Sequence, residues 1–216
     1  MPQLFEPPRY IAVEGPIRVG KSTLAGILAE RMNARRVLES AGQSPYLAPF
    51  YAAAEGAAFR LQMHLLLERY HQLRELGPVR PSEPVVTDYL FEKDKLFAYV
   101  NLSDDELAIY NRYYALFRRE IATPDLVIYL KASPQVLRQR MARRDAPAER
   151  RLADEYLEEI VHAYDYFFFH YTQSDLLVID TSEIDFVERN EDLRELLRRL
   201  AEPIKGTQYF LPLGSQ

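Results

Sequence analysis

The sequence predicts an α/β protein built on a parallel five-stranded sheet with helices on both faces. Short apolar runs rich in β-branched or aromatic residues alternate with amphipathic segments of helical length. Strands that alternate with helices in this way form a parallel sheet that is covered on both faces. The predicted strands lie at 10–13, 36–38, 85–87, 126–130 and 176–179.

The segments between these runs have the apolar spacing of helices. The predicted helices span 21–32, 51–76, 91–99, 104–121, 134–143, 153–171 and 186–200. Residues before prolines disfavour the helical conformation, so the pairs 77–78, 123–124 and 133–134 mark joints between elements. A chain of 216 residues suits a single domain, 1–216, and we expect the tail 203–216 to be partly flexible.

Composition excludes several classes of protein. A net charge of −5 argues against nonspecific nucleic-acid binding as the main activity. The absence of cysteine excludes disulfides and thiolate metal sites. Because the first residues lack an apolar signal core and no run is long enough to span a membrane, we expect a cytoplasmic protein with no nucleic-acid or membrane partner.

A phosphate-binding pattern, G-x-x-x-x-G-K-[ST], lies between the first predicted strand and the first predicted helix. Its residues are Gly15, Pro16, Ile17, Arg18, Val19, Gly20, Lys21, Ser22 and Thr23. Glycines let backbone N–H groups close around a phosphate, and the helix start adds the positive end of its dipole. Lys21 is placed to reach the β- and γ-phosphates, and Ser22 to ligate Mg²⁺. The pattern predicts a nucleoside triphosphate site; a glycine-rich turn without a ligand is the alternative.

Acidic residues follow the second and third predicted strands. In open parallel sheets, ligands bind beyond the carboxyl ends of the strands, so Glu39 and Asp88 are expected near the phosphate loop. Glu39 is a candidate to accept a hydroxyl proton during phosphoryl transfer, or else a solvated surface residue. Asp88 is a candidate Mg²⁺ partner, or else a cap of the next helix.

Gln62 and Arg69 lie two turns apart on the long helix predicted at 51–76. The donor and acceptor of a glutamine amide match the edge of a nucleobase. A glutamine on a helix is usually a surface residue, but the apolar neighbours here favour an enclosed one. The sequence therefore suggests a base-reading position.

Arginines cluster at the end of the helix predicted at 134–143 and in the loop that follows it. They include Arg138, Arg140, Arg143 and Arg144. In a kinase with a phosphate loop, such a segment can close over the phosphates as a lid. A solvated helix face is the alternative for any run of charges, and we favour it for Arg138 and Arg151.

Together these features resemble the deoxyribonucleoside kinase family of P-loop kinases, particularly its bacterial deoxyadenosine and deoxyguanosine kinases. The resemblance covers the chain from about residue 10 to residue 171. The motifs that carry it are Val37-Leu-Glu39, Ser44-Pro-Tyr-Leu47 with Phe50-Tyr51, Phe59-x-x-Gln62 with Arg69, Asp94, the segment 123–134, Arg140-Met-x-x-Arg144, and Glu149 with Tyr156-Leu-Glu.

This resemblance implies a P-loop kinase fold with an arginine-bearing lid at about 138–151. It implies transfer of the γ-phosphoryl group of ATP, with Mg²⁺, to the 5′-hydroxyl of a deoxyribonucleoside, preferably a purine. The roles it implies are a general base at Glu39, sugar binding by Tyr51 and Glu149, base binding by Gln62, Arg69 and Asp94, and lid arginines at Arg140 and Arg144. It also implies a homodimer packed through helices.

The sequence departs from the family pattern after the third strand. The family usually has an arginine where this chain has Tyr89, and Ala146 replaces a usual lid arginine. Arg18 in the phosphate loop is unusual, and its guanidinium is a candidate to replace the charge that is missing at Tyr89 by reaching Glu39 and the transferring phosphoryl group.

Two other functions remain open at this point. A thymidylate-type nucleoside monophosphate kinase shares the phosphate loop, but its acceptor is already ionised and needs no base, so Glu39 argues against it. A nucleotide-binding regulatory protein without kinase activity is the other alternative, with Tyr89 and Ala146 as signs of lost chemistry.

Overall fold

A computed structural model describes residues 7–39, 41–78, 81–143 and 152–214. Its centre is a six-stranded sheet in the order β2-β3-β1-β4-β5-β6, in which every neighbouring pair is parallel. The strands are β1 Tyr10–Glu14, β2 Arg35–Val37, β3 Val85–Thr87, β4 Leu126–Lys131, β5 Asp175–Asp180 and β6 Thr207–Phe210.

Eight α-helices accompany the sheet in the described part of the chain. They are α1 Lys21–Met32, α2 Leu47–Tyr51, α3 Ala57–Arg74, α4 Lys93–Asn101, α5 Asp104–Arg118, α6 Pro134–Ala142, α7 Asp154–Phe169 and α8 Asn190–Leu200. Helix α5 begins in a capping box, in which Ser103 and Glu106 bond each other's backbone and satisfy amides that the first turn leaves open.

The prediction of an α/β fold with a parallel sheet is confirmed, but the expected number of five strands is wrong. The sixth strand, β6, lies in the tail that we expected to be partly flexible, and it pairs with β5. Its residues alternate between exposed and half-buried, as befits an edge strand. It therefore lacks the apolar run by which the five predicted strands were recognised.

The helix predicted at 51–76 begins later in the structure, at Ala57, as α3, and Tyr51 is instead the last residue of the short helix α2. Two residues between them, Ala53 and Gly56, adopt left-handed backbone conformations with φ of 51° and 63°. A left-handed residue cannot continue a right-handed helix, so the chain turns here. The helix predicted at 186–200 likewise begins later, at Asn190.

The core lies on both faces of the sheet, and alternate residues of β4 show this. Leu126, Ile128 and Leu130 pack into a cluster with residues of α1, α6 and α8. Val127 and Tyr129 point the other way and pack with α7. Because every residue of β1 is also buried, the central strands are covered on both sides.

Within the described ranges, we find no helix that is both long enough and apolar enough to cross a membrane.

Candidate active site

The phosphate loop connects the buried end of β1 to the start of α1, and two of its glycines are required by its geometry. Gly15 has φ of 150°, and a Cβ there would lie 2.1 Å from the carbonyl oxygen of Leu130. Gly20 has φ of 108°, and a Cβ there would lie 2.5 Å from Cζ of Phe186. Arg18 is also left-handed, with φ of 61°. The loop thus adopts a tight conformation that side chains at these two positions would prevent.

Lys21 begins α1 and folds back over the loop, where its Nζ donates to the carbonyl oxygen of Pro16 at 3.0 Å. Burial lowers the pKa of Lys21, and the nearby ammonium of Lys93 lowers it further, against the carboxylates of Glu14, Glu39 and Asp88. The lysine therefore lies among several charges rather than in open solvent.

Ser22 and Asp88 come together next to the phosphate loop, as the sequence suggested. Ser22 Oγ donates to Asp88 Oδ2, while Asp88 Oδ1 accepts from the backbone N–H of Glu39 at 2.7 Å. No cluster of three or more metal-ligating side chains occurs among the residues described. A hydroxyl and one carboxylate fit Mg²⁺, which commonly uses one or two carboxylates and completes its shell with water and substrate phosphates.

A cleft of about 590 Å³ opens beside the phosphate loop. It is lined by the loop residues from Arg18 to Thr23, by Arg140 and Arg143, and by the segment from Asp185 to Glu188. The guanidinium of Arg140 donates to the carbonyl oxygens of Thr181 at 2.6 Å and Ile184 at 2.9 Å. Arg140 thus connects α6 to the loop after β5 through hydrogen bonds and forms part of the wall of this cleft.

Glu39 follows β2 and is gripped by two cations. Arg69 of α3 donates to Glu39 Oε1 through Nε at 2.9 Å and also through Nη2, and Lys93 Nζ lies 2.8 Å from Oε2. Burial by itself raises the pKa of Glu39, but the charges and hydrogen bonds of Lys93 and Arg69 outweigh burial and hold the pKa well below its ordinary value. The carboxylate is therefore ionised at neutral pH.

Arg69 also joins Glu39 to the residues expected at the base. Its Nη1 donates to Asp94 Oδ2, while Oδ1 of the same carboxylate accepts from Gln62 Nε2 and from the hydroxyl of Tyr110, the latter at 2.7 Å. Gln62 Nε2 donates in addition to the carbonyl oxygen of Asp94 at 2.9 Å. Gln62, Arg69 and Asp94 thus form one buried network, to which Tyr110 of α5 adds a contact that no sequence pattern indicated.

A smaller cavity of about 260 Å³, more enclosed than the cleft, lies between this network and the phosphate loop. Its polar lining comprises Lys21, Glu39, Gln62, Arg69, Lys93, Asn101 and the tyrosines 51, 156 and 164. Apolar side chains such as Phe97 and Ile160 supply the rest of the wall. The volume is close to the lower end of small-molecule sites, about 300–1,000 Å³, and the mixture of apolar walls with a few convergent polar groups is typical of them.

Glu14, at the end of β1, is a second buried carboxylate that the sequence analysis passed over. It accepts from the backbone N–H groups of Gly15 at 2.8 Å and Leu90 at 2.7 Å, and from the hydroxyl of Tyr164 at 3.0 Å. Its Oε2 also lies 3.8 Å from Lys93 Nζ. An acid immediately before the first glycine of the loop was the available signal.

The remaining predicted residues differ in their outcome. Tyr51 lines the enclosed cavity. Arg144 and Glu149 lie outside the described residues, as does most of the expected lid. Tyr89 is fully buried, and its hydroxyl donates to Gln72 Oε1 at 2.7 Å. The chain therefore uses this position for packing against α3.

A phosphate loop on a parallel sheet, beside an enclosed cavity with an ionised carboxylate, defines a P-loop phosphotransferase. The family model described as deoxynucleoside kinase matches residues 11–205. A deoxyguanosine kinase of Bacillus subtilis is 31% identical over 201 residues, which cover 90% of this chain and 97% of the relative. The chain belongs to the deoxynucleoside kinase family.

Other relatives agree with this assignment. A deoxyadenosine/deoxycytidine kinase of Bacillus subtilis is 26% identical over 206 residues, covering 92% of this chain and 94% of that one. Among solved structures, a deoxyadenosine kinase from M. mycoides with bound dATP superposes with a TM-score of 0.76 at 22% identity, over 90% of this chain and all of the other. The fold of the family is thus present throughout.

Replacing Arg69 by methionine should destabilise the protein strongly. The variant would leave Glu39 and Asp94 buried without the guanidinium that they share, and breaking such a buried ion pair typically costs about 3–5 kcal/mol. Chemical unfolding followed by circular dichroism measures this loss. The matched control is Arg60→Met on the exposed side of α3, which should leave the unfolding midpoint nearly unchanged. Equal effects of both variants would contradict this role of Arg69.

Proposed function

We propose that this protein is a kinase that transfers the γ-phosphoryl group of ATP to the 5′-hydroxyl of a purine deoxyribonucleoside. The observation that carries the proposal is the position of Lys21, which lines both the open cleft beside the phosphate loop and the enclosed cavity that contains Glu39. A phosphate held at Lys21 therefore lies between the two spaces, where a donor and an acceptor would meet.

The open cleft is the proposed ATP site. The backbone of the phosphate loop and Lys21 would hold the phosphates, and the segment from Asp185 to Glu188, with Arg140, would face the rest of the nucleotide. Ser22 and Asp88 would hold Mg²⁺, which when bound neutralises charge on the phosphate oxygens. Arg144 is proposed as a further phosphate-binding lid arginine.

The enclosed cavity is the proposed nucleoside site, with Glu39 as the proton acceptor. The 5′-oxygen forms a bond to the γ-phosphorus while the bond between that phosphorus and the β–γ bridging oxygen breaks, and ADP leaves. The proton of the 5′-hydroxyl passes to the Glu39 carboxylate. Because the transition state of phosphoryl transfer is loose, a carboxylate that orients the hydroxyl serves even when its pKa is low.

Gln62, Arg69 and Asp94 are proposed to read the base, and Tyr51 with Glu149 to bind the sugar 3′-hydroxyl. Asp94 accepts from the amide nitrogen of Gln62, so the amide oxygen is the atom that can accept from a donor on the base. The preference for purines rests on the relatives, which are named as deoxyguanosine and deoxyadenosine kinases.

The protein should phosphorylate deoxyguanosine or deoxyadenosine in preference to pyrimidine deoxynucleosides and to nucleoside monophosphates. Labelled ATP with four deoxynucleosides and their monophosphates measures this directly. Preferred turnover of monophosphates, or nucleotide binding without turnover, would instead support the two alternative functions.

Glu39→Gln should lower kcat by about two orders of magnitude or more, as expected for a lost general base. Glu75→Gln, on the surface beside Arg35, is the matched control.

Arg18 is proposed to assist the transfer from the donor side. It lines the open cleft next to Lys21, which is where the donor phosphates are proposed to bind.

Arg18→Ala should therefore lower kcat/KM by about a hundredfold or more, since a guanidinium directed at the transferring group is worth several kcal/mol at the transition state. The unfolding temperature, measured in parallel, separates this loss from a loss of stability. Steady-state kinetics with saturating deoxynucleoside measures the effect. An unchanged kcat/KM would remove Arg18 from the mechanism.

A homodimer is proposed through an apolar stripe on α5. Ile109, Tyr113 and Leu116 occupy successive turns of one helix face and are 46–57% exposed, and Leu67 of α3 is also exposed. The opposite face of α5 holds Tyr110 and Tyr114 in the core.

Leu116→Glu with Tyr113→Glu should convert the proposed dimer into monomers, because two charges would be buried in the interface. Sedimentation velocity gives the mass in solution. Tyr166→Glu, at a more exposed aromatic position on α7, should leave the mass unchanged. A parent protein that sediments as a monomer would disprove the dimer.

A further inference from the structure

Lys93 is the least expected member of the site. It is the first residue of α4, and only 4% of its side chain is exposed, which is rare for a lysine. Its Nζ lies 2.8 Å from Glu39 Oε2 and 3.8 Å from Glu14 Oε2. No motif in the sequence singled it out.

From this arrangement we infer that Lys93 is a positioning residue for phosphoryl transfer, which holds the Glu39 carboxylate in place toward the acceptor hydroxyl. The inference rests on the proposed function, because it assigns Lys93 a part in the proton transfer to Glu39. It also differs from the sequence-based hypothesis, in which Arg18 supplied the charge that is missing at Tyr89.

The division of contacts on Glu39 supports this role. Arg69 binds Oε1 and Lys93 binds Oε2, so each oxygen has its own cation and the plane of the carboxylate is fixed. Arg69 is shared with Asp94 and therefore cannot by itself neutralise both carboxylates. Without Lys93, two buried anions would depend on one guanidinium.

The position of Lys93 also connects the acceptor cavity to the phosphate loop. Its second neighbour, Glu14, holds the first amide of the loop at Gly15. Lys93 lies close enough to Lys21 to lower the pKa of that lysine. Lys93 thus lies close to the carboxylates of Glu39 and Glu14 and to the ammonium of Lys21.

The charged and titratable groups around Glu39 come from several elements. They are Lys21 of α1, Arg69 of α3, Lys93 of α4, Asp88 and Tyr89 after β3, Tyr164 of α7, and Glu14 of β1, with Asp94 beyond Arg69. Of these groups, Arg69 and Lys93 are the ones that bond the carboxylate oxygens of Glu39, so removal of Lys93 leaves Oε2 without its cation.

The test is the kinetics of Lys93→Met with saturating ATP and deoxynucleoside. Because Oε2 of Glu39 loses the cation that holds it, kcat should fall about tenfold while KM for the deoxynucleoside stays within about twofold. Lys93→Arg, which keeps the charge, should restore most of kcat. A kcat equal to that of the parent, or a loss confined to KM, would refute the inference.

A matched control separates this effect from general damage to α4. Lys95 lies two residues further along the same helix, against the rings of Tyr99 and Tyr114. Lys95→Met makes the same chemical change outside the cavity and should leave both kcat and KM as in the parent.

A double variant keeps the test decisive if Lys93→Met fails to fold. Glu39→Gln with Lys93→Met removes both charges and leaves neither unpaired. If Lys93 acts through Glu39, the double variant should retain the residual kcat of Glu39→Gln within about twofold, because coupled residues are not additive. A further tenfold loss would mean that Lys93 acts directly on a substrate, against the inference.

The parent protein distinguishes failure of this inference from failure of the proposed function. A parent that phosphorylates no deoxynucleoside would disprove the function. An active parent with a Lys93→Met variant of equal kcat would disprove the role of Lys93 alone.

Discussion

A carboxylate held in its charged form inside an enclosed cavity is the constraint on which this site depends. Burial disfavours the charged form of Glu39, and ion pairs with Arg69 of α3 and Lys93 of α4 compensate for this. Because Arg69 also grips Asp94 on α4, the same ions that neutralise the carboxylate bind the two helices to each other. The shape of the acceptor cavity and the charge state of its central acid are therefore determined together.

The phosphate loop solves a different problem, since it must present backbone amides to a dianion. Its conformation requires glycine where Leu130 and Phe186 approach closely, and the buried Glu14 holds its first amide. Lys21 extends from this loop to the boundary of both cavities. Lys21 thus belongs both to the anion-binding turn and to the lining of the cavity that contains Glu39.

Much of this could be predicted from the sequence, because the signals were local. Each inner strand was recognised to within one residue at either end, and the topology rule for parallel sheets placed Ser22, Glu39 and Asp88 at one edge. The edge strand β6 was missed because its alternating pattern lacks an apolar run. Lys93 and Tyr110 were missed because their partners are distant in sequence: 54 residues separate Lys93 from Glu39, and only packing brings them together.

The carboxylate of Asp88 links two parts of the site. One of its oxygens meets the hydroxyl at the start of α1, and the other holds the main-chain amide of Glu39. One short side chain thus connects the phosphate loop to the segment that carries Glu39. Because one carboxylate holds both, the start of α1 and the main chain at position 39 are fixed relative to the same side chain.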